Sequence, residues 1–150
     1  MKKSHAIINL KKAKKIWEDM SKELELEYEI KVEDDSVIWT FDTSLKAFDD
    51  NIMAYFRIFE SGAAMFTFTF DRLVIDEQTL RMVNDLNENN YFFRAYIDSE
   101  DGYLRLEHVA LFVEQDDLAG YTNAILERFV DDKLKELLTP LCILTEGDPD

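Results

Sequence analysis

The period of the apolar positions changes several times along the chain, and each change marks an element. Over residues 9–25 the spacing is helical: Ala13, Ile16, Trp17, Met20 and Leu24 form one stripe, with Lys11, Lys15, Glu18 and Lys22 outside it. Strict alternation follows, Leu26, Tyr28, Ile30 and Val32 against Glu27, Glu29, Lys31 and Glu33, which predicts a half-buried strand. Asp34-Asp35-Ser36 turns the chain into a second strand over 37–42, with Val37, Trp39 and Phe41 in phase. A third strand over 52–60 and a fourth carrying Phe66, Phe68 and Phe70 are joined at Ser61-Gly62, where glycine tolerates the positive φ of a tight turn.

Asp76 predicts the N-cap of a second helix, with Leu80, Val83 and Leu86 on its inward side, Asn87 at the margin of that stripe, and Asn89-Asn90 as its end. A fifth strand over 91–98 and a sixth over 103–113 flank a turn at 99–102. A last helix of about 21 residues, roughly 30 Å long, starts at Asp117. Leu118, Tyr121, Ile125 and Phe129 face inward, and Thr139-Pro140 stops it. The order α-β-β-β-β-α-β-β-α predicts an α+β fold with a mostly antiparallel sheet on which the first and third helices pack.

Composition then sets limits. At 150 residues, with 47% apolar side chains, the chain reads as one domain over 1–150 that builds a core without disulfides or a structural metal. Residues 1–8 and 145–150 are expected to be loosely ordered. The single cysteine, Cys142, excludes an internal disulfide and points to a reducing compartment. Met1-Lys2-Lys3 is followed by an apolar run too short for a signal peptide, and no stretch approaches the ~20 apolar residues of a membrane span. A cytoplasmic protein with no membrane partner is the expectation. Net charge is −15, yet residues 1–15 carry six lysines and no acidic residue. The strongly negative remainder argues against nucleic acid as a partner.

Candidate chemistry is sparse. Asp98-Ser99-Glu100-Asp101-Gly102 has the flavour of a calcium loop, but its glycine comes at the fifth position and its flanks read as strands, so a hairpin turn is expected. The two histidines, His5 and His108, have no nucleophile beside them in sequence. Cys142 lies among Leu141, Ile143 and Leu144 as an inert thiol. Four isolated glycines supply no phosphate loop. The expectation is no catalytic residue, no metal, no cofactor and no small-molecule substrate.

What stands out is a surplus of apolar side chains on the sheet. The third strand offers Ile52, Ala54, Phe56 and Ile58 on one face but also Met53, Tyr55 and Phe59 on the other; the fifth sets Phe92 and Tyr96 opposite Tyr91, Phe93, Ala95 and Ile97. A sheet with one wet face would alternate cleanly. The second face is therefore expected to be covered, either by the second helix or the chain's own loops, or by a partner chain or a second copy, a two-fold dimer being expected through this face and the adjoining second helix. Met53, Tyr55, Phe59, Phe92 and Tyr96 are the candidate partner or dimer surface.

Val83-Asn84-Asp85-Leu86-Asn87, followed by Phe92-Phe93, Ile97-Asp98, Asp101-Gly102 and Leu104-x-Leu106, resembles the YbjN-like family of bacterial sensory-transduction regulators. The likeness covers most of the chain in element order, with an Asn-x-x-Asn pattern at the end of the short helix. It implies a fold like that of class I type III secretion chaperones and a dimeric, non-enzymatic protein that binds another polypeptide. It carries over no catalytic residue, and the lysine-rich first helix departs from it. Two other classes stay open at this point: a host or phage protein that only self-associates, and an enzyme built on carboxylates.

Overall fold

The computed structural model describes residues 6–43, 52–111 and 113–142; the expected loop between the second and third strands, His5 and the Cys142 side chain lie outside that description. Six strands form one antiparallel sheet: β1 (Tyr28–Val32), β2 (Ser36–Thr43), β3 (Ile52–Phe59), β4 (Ala64–Arg72), β5 (Arg94–Ile97) and β6 (Tyr103–Ala110), in spatial order β1-β2-β3-β4-β6-β5. The helices are α1 (Leu10–Glu23), α2 (Glu77–Asn89), α3 (Leu118–Phe129) and α4 (Asp132–Cys142). The protein is α+β.

Capping explains the first helix's limits. Asn9 Oδ1 accepts from the Lys12 N–H at 3.1 Å. At the other end Leu26 N donates to Ser21 O and Glu25 N to Lys22 O, a Schellman closure with Glu25 at φ 55° in the position glycine usually takes. Ahead of it the chain is pinned: Ile7 N and Ile8 N both donate to Glu60 O, and Ile8 is buried, so the loose start expected through residue 8 is fastened at its end.

All four helices deliver side chains to one core on one face of the sheet. Phe68 stacks on Phe129 of α3 at 3.8 Å between centroids, Trp17 of α1 stacks on Trp39 at 5.5 Å, and the Trp17 indole N–H donates to Thr122 Oγ1 on α3. Val83 and Leu86 of α2 and Leu134, Leu138 and Leu141 of α4 join the same cluster. The large side chains are buried completely, each worth about 1.5–3 kcal/mol.

Three boundaries differ from expectation. The fifth strand begins at Arg94 instead of residue 91, because Asn90 Oδ1 accepts from both Phe92 N and Phe93 N and holds that backbone in a turn. The expected single last helix is two, split at Val130-Asp131, where Asp131 Oδ1 accepts from Lys133 N and begins α4. Pro140 does not stop that helix; it lies inside α4, two residues from its end.

Candidate partner-binding face

The sheet register sorts every strand residue to one face or the other. Val37, Trp39 and Phe41, Ala54, Phe56 and Ile58, and Phe66, Phe68, Leu104 and Leu106 point under the helices and are buried. The residues between them point the other way. One cross-strand row reads Ile38, Arg57, Met65, Val109; the next Thr40, Tyr55, Thr67, Glu107, Arg94; a third Asp42, Met53, Thr69, Arg105, Tyr96. These side chains are mostly half-buried, and Met53 and Val109 are about half exposed, at 51% and 52%. Among the described residues no helix packs on this face.

Four of the five sequence-predicted residues share it: Met53, Tyr55 and Phe59 run along β3, and Tyr96 lies three strands away in the Met53 row. Phe92 stands apart. It precedes β5, and its ring stacks on His108 at 4.3 Å and meets Phe93 edge-on at 4.9 Å, on the helix-covered side beneath Arg128. The expectation that the second helix adjoins the open face fails with it: α2 touches α4 and β5 and buries Thr79, Val83 and Leu86 in the common core. Ile38, Met65 and Val109 were missed by sequence reading. Their place on this face follows from register, which no single strand displays.

The face is amphipathic rather than greasy. Arg57 stacks over Phe59 at 4.6 Å and Arg94 over Tyr96 at 4.9 Å. Each cation also has a carboxylate: Arg57 with Asp35 at 3.8 Å, Arg94 with Glu107 at 3.4 Å, Arg105 with Asp101 at 2.8 Å and with Asp98. Burial raises the Tyr96 phenol above its ordinary pKa, with the nearby Glu107 carboxylate adding to the shift. Such a surface offers flat aromatic contact and paired charges, suited to another protein's side chains.

The acidic turn serves the fold. Asp98 Oδ1 accepts from Glu100 N, Asp101 Oδ1 from Tyr103 N, and both carboxylates hold Arg105. The Tyr103 N–H bond is the main reason the Asp101 carboxyl sits below its usual range. Gly102, at φ 79°, closes the turn. Among the described residues no group of three or more His, Cys, Asp or Glu could hold a metal ion. His108 is fully engaged: Nδ1 lies 2.8 Å from the Phe92 carbonyl, which can only accept, so that nitrogen carries the proton. Nε2 lies 2.6 Å from the Tyr121 hydroxyl.

The Asn-x-x-Asn pattern is a latch. Asn87 Oδ1 accepts from Ala95 N at 2.7 Å and Asn87 Nδ2 donates to Ala95 O at 2.9 Å, so one side chain occupies the outer edge of β5 as a neighbouring strand would. Asn90 then turns the backbone between α2 and β5.

Among the described residues no helix is long and apolar enough to cross a membrane. Neither the curated proteins nor the solved structures contain a match to the chain. The YbjN family model, described as "Putative bacterial sensory transduction regulator", matches residues 18–131, from the middle of α1 to the break before α4. With more than half its length under that model, the chain belongs to the YbjN family.

Proposed function

We propose that this chain is a non-enzymatic, chaperone-like or regulatory module of the bacterial cytoplasm that works as a dimer and binds another polypeptide across the open face of its sheet. The observation that carries the reading is that face itself, where Met53, Tyr55, Phe59 and Tyr96 share one side with no described helix over them. Surfaces of aromatic, Met and Arg side chains are those enriched at protein interfaces, and a sheet packed on one side only leaves such side chains unsatisfied. A sensory-transduction family fits a protein whose output is an interaction. The net charge of −15 disfavours nucleic acid and anionic lipid as alternatives.

Met53 is half exposed, so it can be changed without emptying the core. In affinity capture from the native host, wild-type protein should retain a discrete foreign polypeptide and Met53→Glu should lose it at unchanged melting temperature. Leu80, which helical spacing predicted on the inward side of α2, is 54% exposed, and Leu80→Glu should behave as wild type. Equal retention by both variants would contradict the reading.

A further inference from the structure

The two edges of the sheet are treated differently. The β5 edge is closed by the Asn87 side chain, whereas nothing described pairs with the outer edge of β1. Glu33 N donates to Ser36 O, which fixes the alternation of the hairpin: Glu29 and Lys31 turn their backbone groups to β2, and Tyr28, Ile30 and Val32 turn theirs outward. Among the described residues nothing pairs with this ladder of three N–H and three C=O groups. Glu29, Lys31 and the half-exposed Val32 (47%) lie along it, and Glu29 makes no ion pair among the described residues. Sheet edges of this kind invite another strand.

We infer that the occupant is the β1 strand of a second copy, paired antiparallel about a two-fold axis through Ile30. The strand is complementary to itself in that register. Ile30 meets Ile30 and Tyr28 meets Val32, so all the outward backbone groups are satisfied. Glu29 stands opposite Lys31 twice. Glu27 faces Glu33 only at the solvated ends. A slip of two residues shortens the ladder and places Glu29 against Glu29 or Lys31 against Lys31. Lys31 is held loosely, 73% exposed beside Glu33 at 3.2 Å, and is free to serve the new carboxylate. α1 is the helix that covers β1 and β2, so the two α1 helices become neighbours across the axis.

Because antiparallel edge pairing keeps opposed side chains on the same face, both helix layers lie on one side and both open faces on the other. The dimer is then one continuous sheet with twice the binding face. This rests on the dimeric binding module proposed above, and it assigns the dimer contact to the edge, leaving the face for the partner.

Charge reversal tests it on the intact chain by light scattering over a concentration series. Wild type should reach twice its 17.6 kDa mass. Glu29→Lys and Lys31→Glu should each be monomeric at concentrations where wild type is dimeric. An equimolar mixture of the two, and the double variant Glu29→Lys/Lys31→Glu, should both recover the dimer, since each restores two opposite-charge pairs. A wild-type monomer throughout, or a dimer indifferent to both single reversals, would overturn the inference. Circular dichroism on each variant reports folding. Met53→Glu should leave the dimer intact, so failure of the edge and failure of the face are read separately.

Discussion

Asn87 shows how a single side chain can decide what an edge is for. Its position on α2 falls at the margin of the apolar stripe, and the sequence placed it there without revealing why a polar residue should face inward. Its amide presents one donor and one acceptor at the spacing of a peptide group, which is what the unpaired Ala95 of an edge strand requires. Asn87→Ala leaves both Ala95 groups without a partner and should cost about 1–3 kcal/mol. The loss is read from the urea midpoint at unchanged slope. Phe92 teaches the reverse lesson. Alternation from Tyr91 onward put it on the face of Tyr96, and from Phe93 on that phase holds, with Phe93 and Ala95 buried and Tyr96 on the open face; an Asx turn at Asn90 takes Phe92 out of it. The Asn signals that end α2 were legible; the turn's capture of the next three residues depends on side-chain geometry that alternation does not encode.

At the scale of elements, the strands of the sheet's centre were the most legible, because alternation in β2, β3 and β4 is set by burial on one face only. The last helix was the least legible. Its apolar stripe is continuous in sequence across Val130-Asp131, yet Asp131 caps a new helix there, a choice made by tertiary packing of Leu134 and Leu138 against the core. Pro140 lacks the N–H a helix needs only for its last turn, where so short an extension tolerates it. The end of α1 carries its own cost. Glu25 adopts φ 55° in the Schellman closure, a conformation that an L side chain with a Cβ pays for and glycine does not. Its side chain is exposed and makes no ion pair among the described residues. The left-handed conformation costs an L residue about 1–2 kcal/mol, more than the roughly 0.5–1 kcal/mol of extra entropy a glycine loses, so Glu25→Gly should stabilise the protein, seen as a higher melting temperature with unchanged oligomeric state. A lower melting temperature would mean that the Glu25 side chain contributes more than its backbone costs.

For the whole molecule, the sequence conveyed the fold class and the existence of a surplus apolar face, but not the arrangement that makes the surplus a surface. That arrangement needs register between strands distant in sequence: β4 pairs with β6 across the whole of α2 and β5. Pairing with β3 sets Met65 opposite Arg57, and the β4–β6 pairing then places Val109 beside Met65 and separates Tyr96 from Met53 by two strands. It also explains why the face is half-buried with no described helix over it. Neighbouring side chains shield one another, and the cations lie on aromatic rings. The charge of −15 sets the conditions under which any association is seen, since two copies repel through solvated charges that physiological salt screens within about 8 Å. The claim that the open face receives another polypeptide is tested most directly by placing a photo-cross-linking amino acid at Tyr55, in the middle of that face, and irradiating cells that express the full chain. The account predicts a covalent adduct with a foreign polypeptide from position 55 and none from the same amino acid at exposed Ala124 on α3. No adduct from position 55, or the same adducts from both positions, would contradict it.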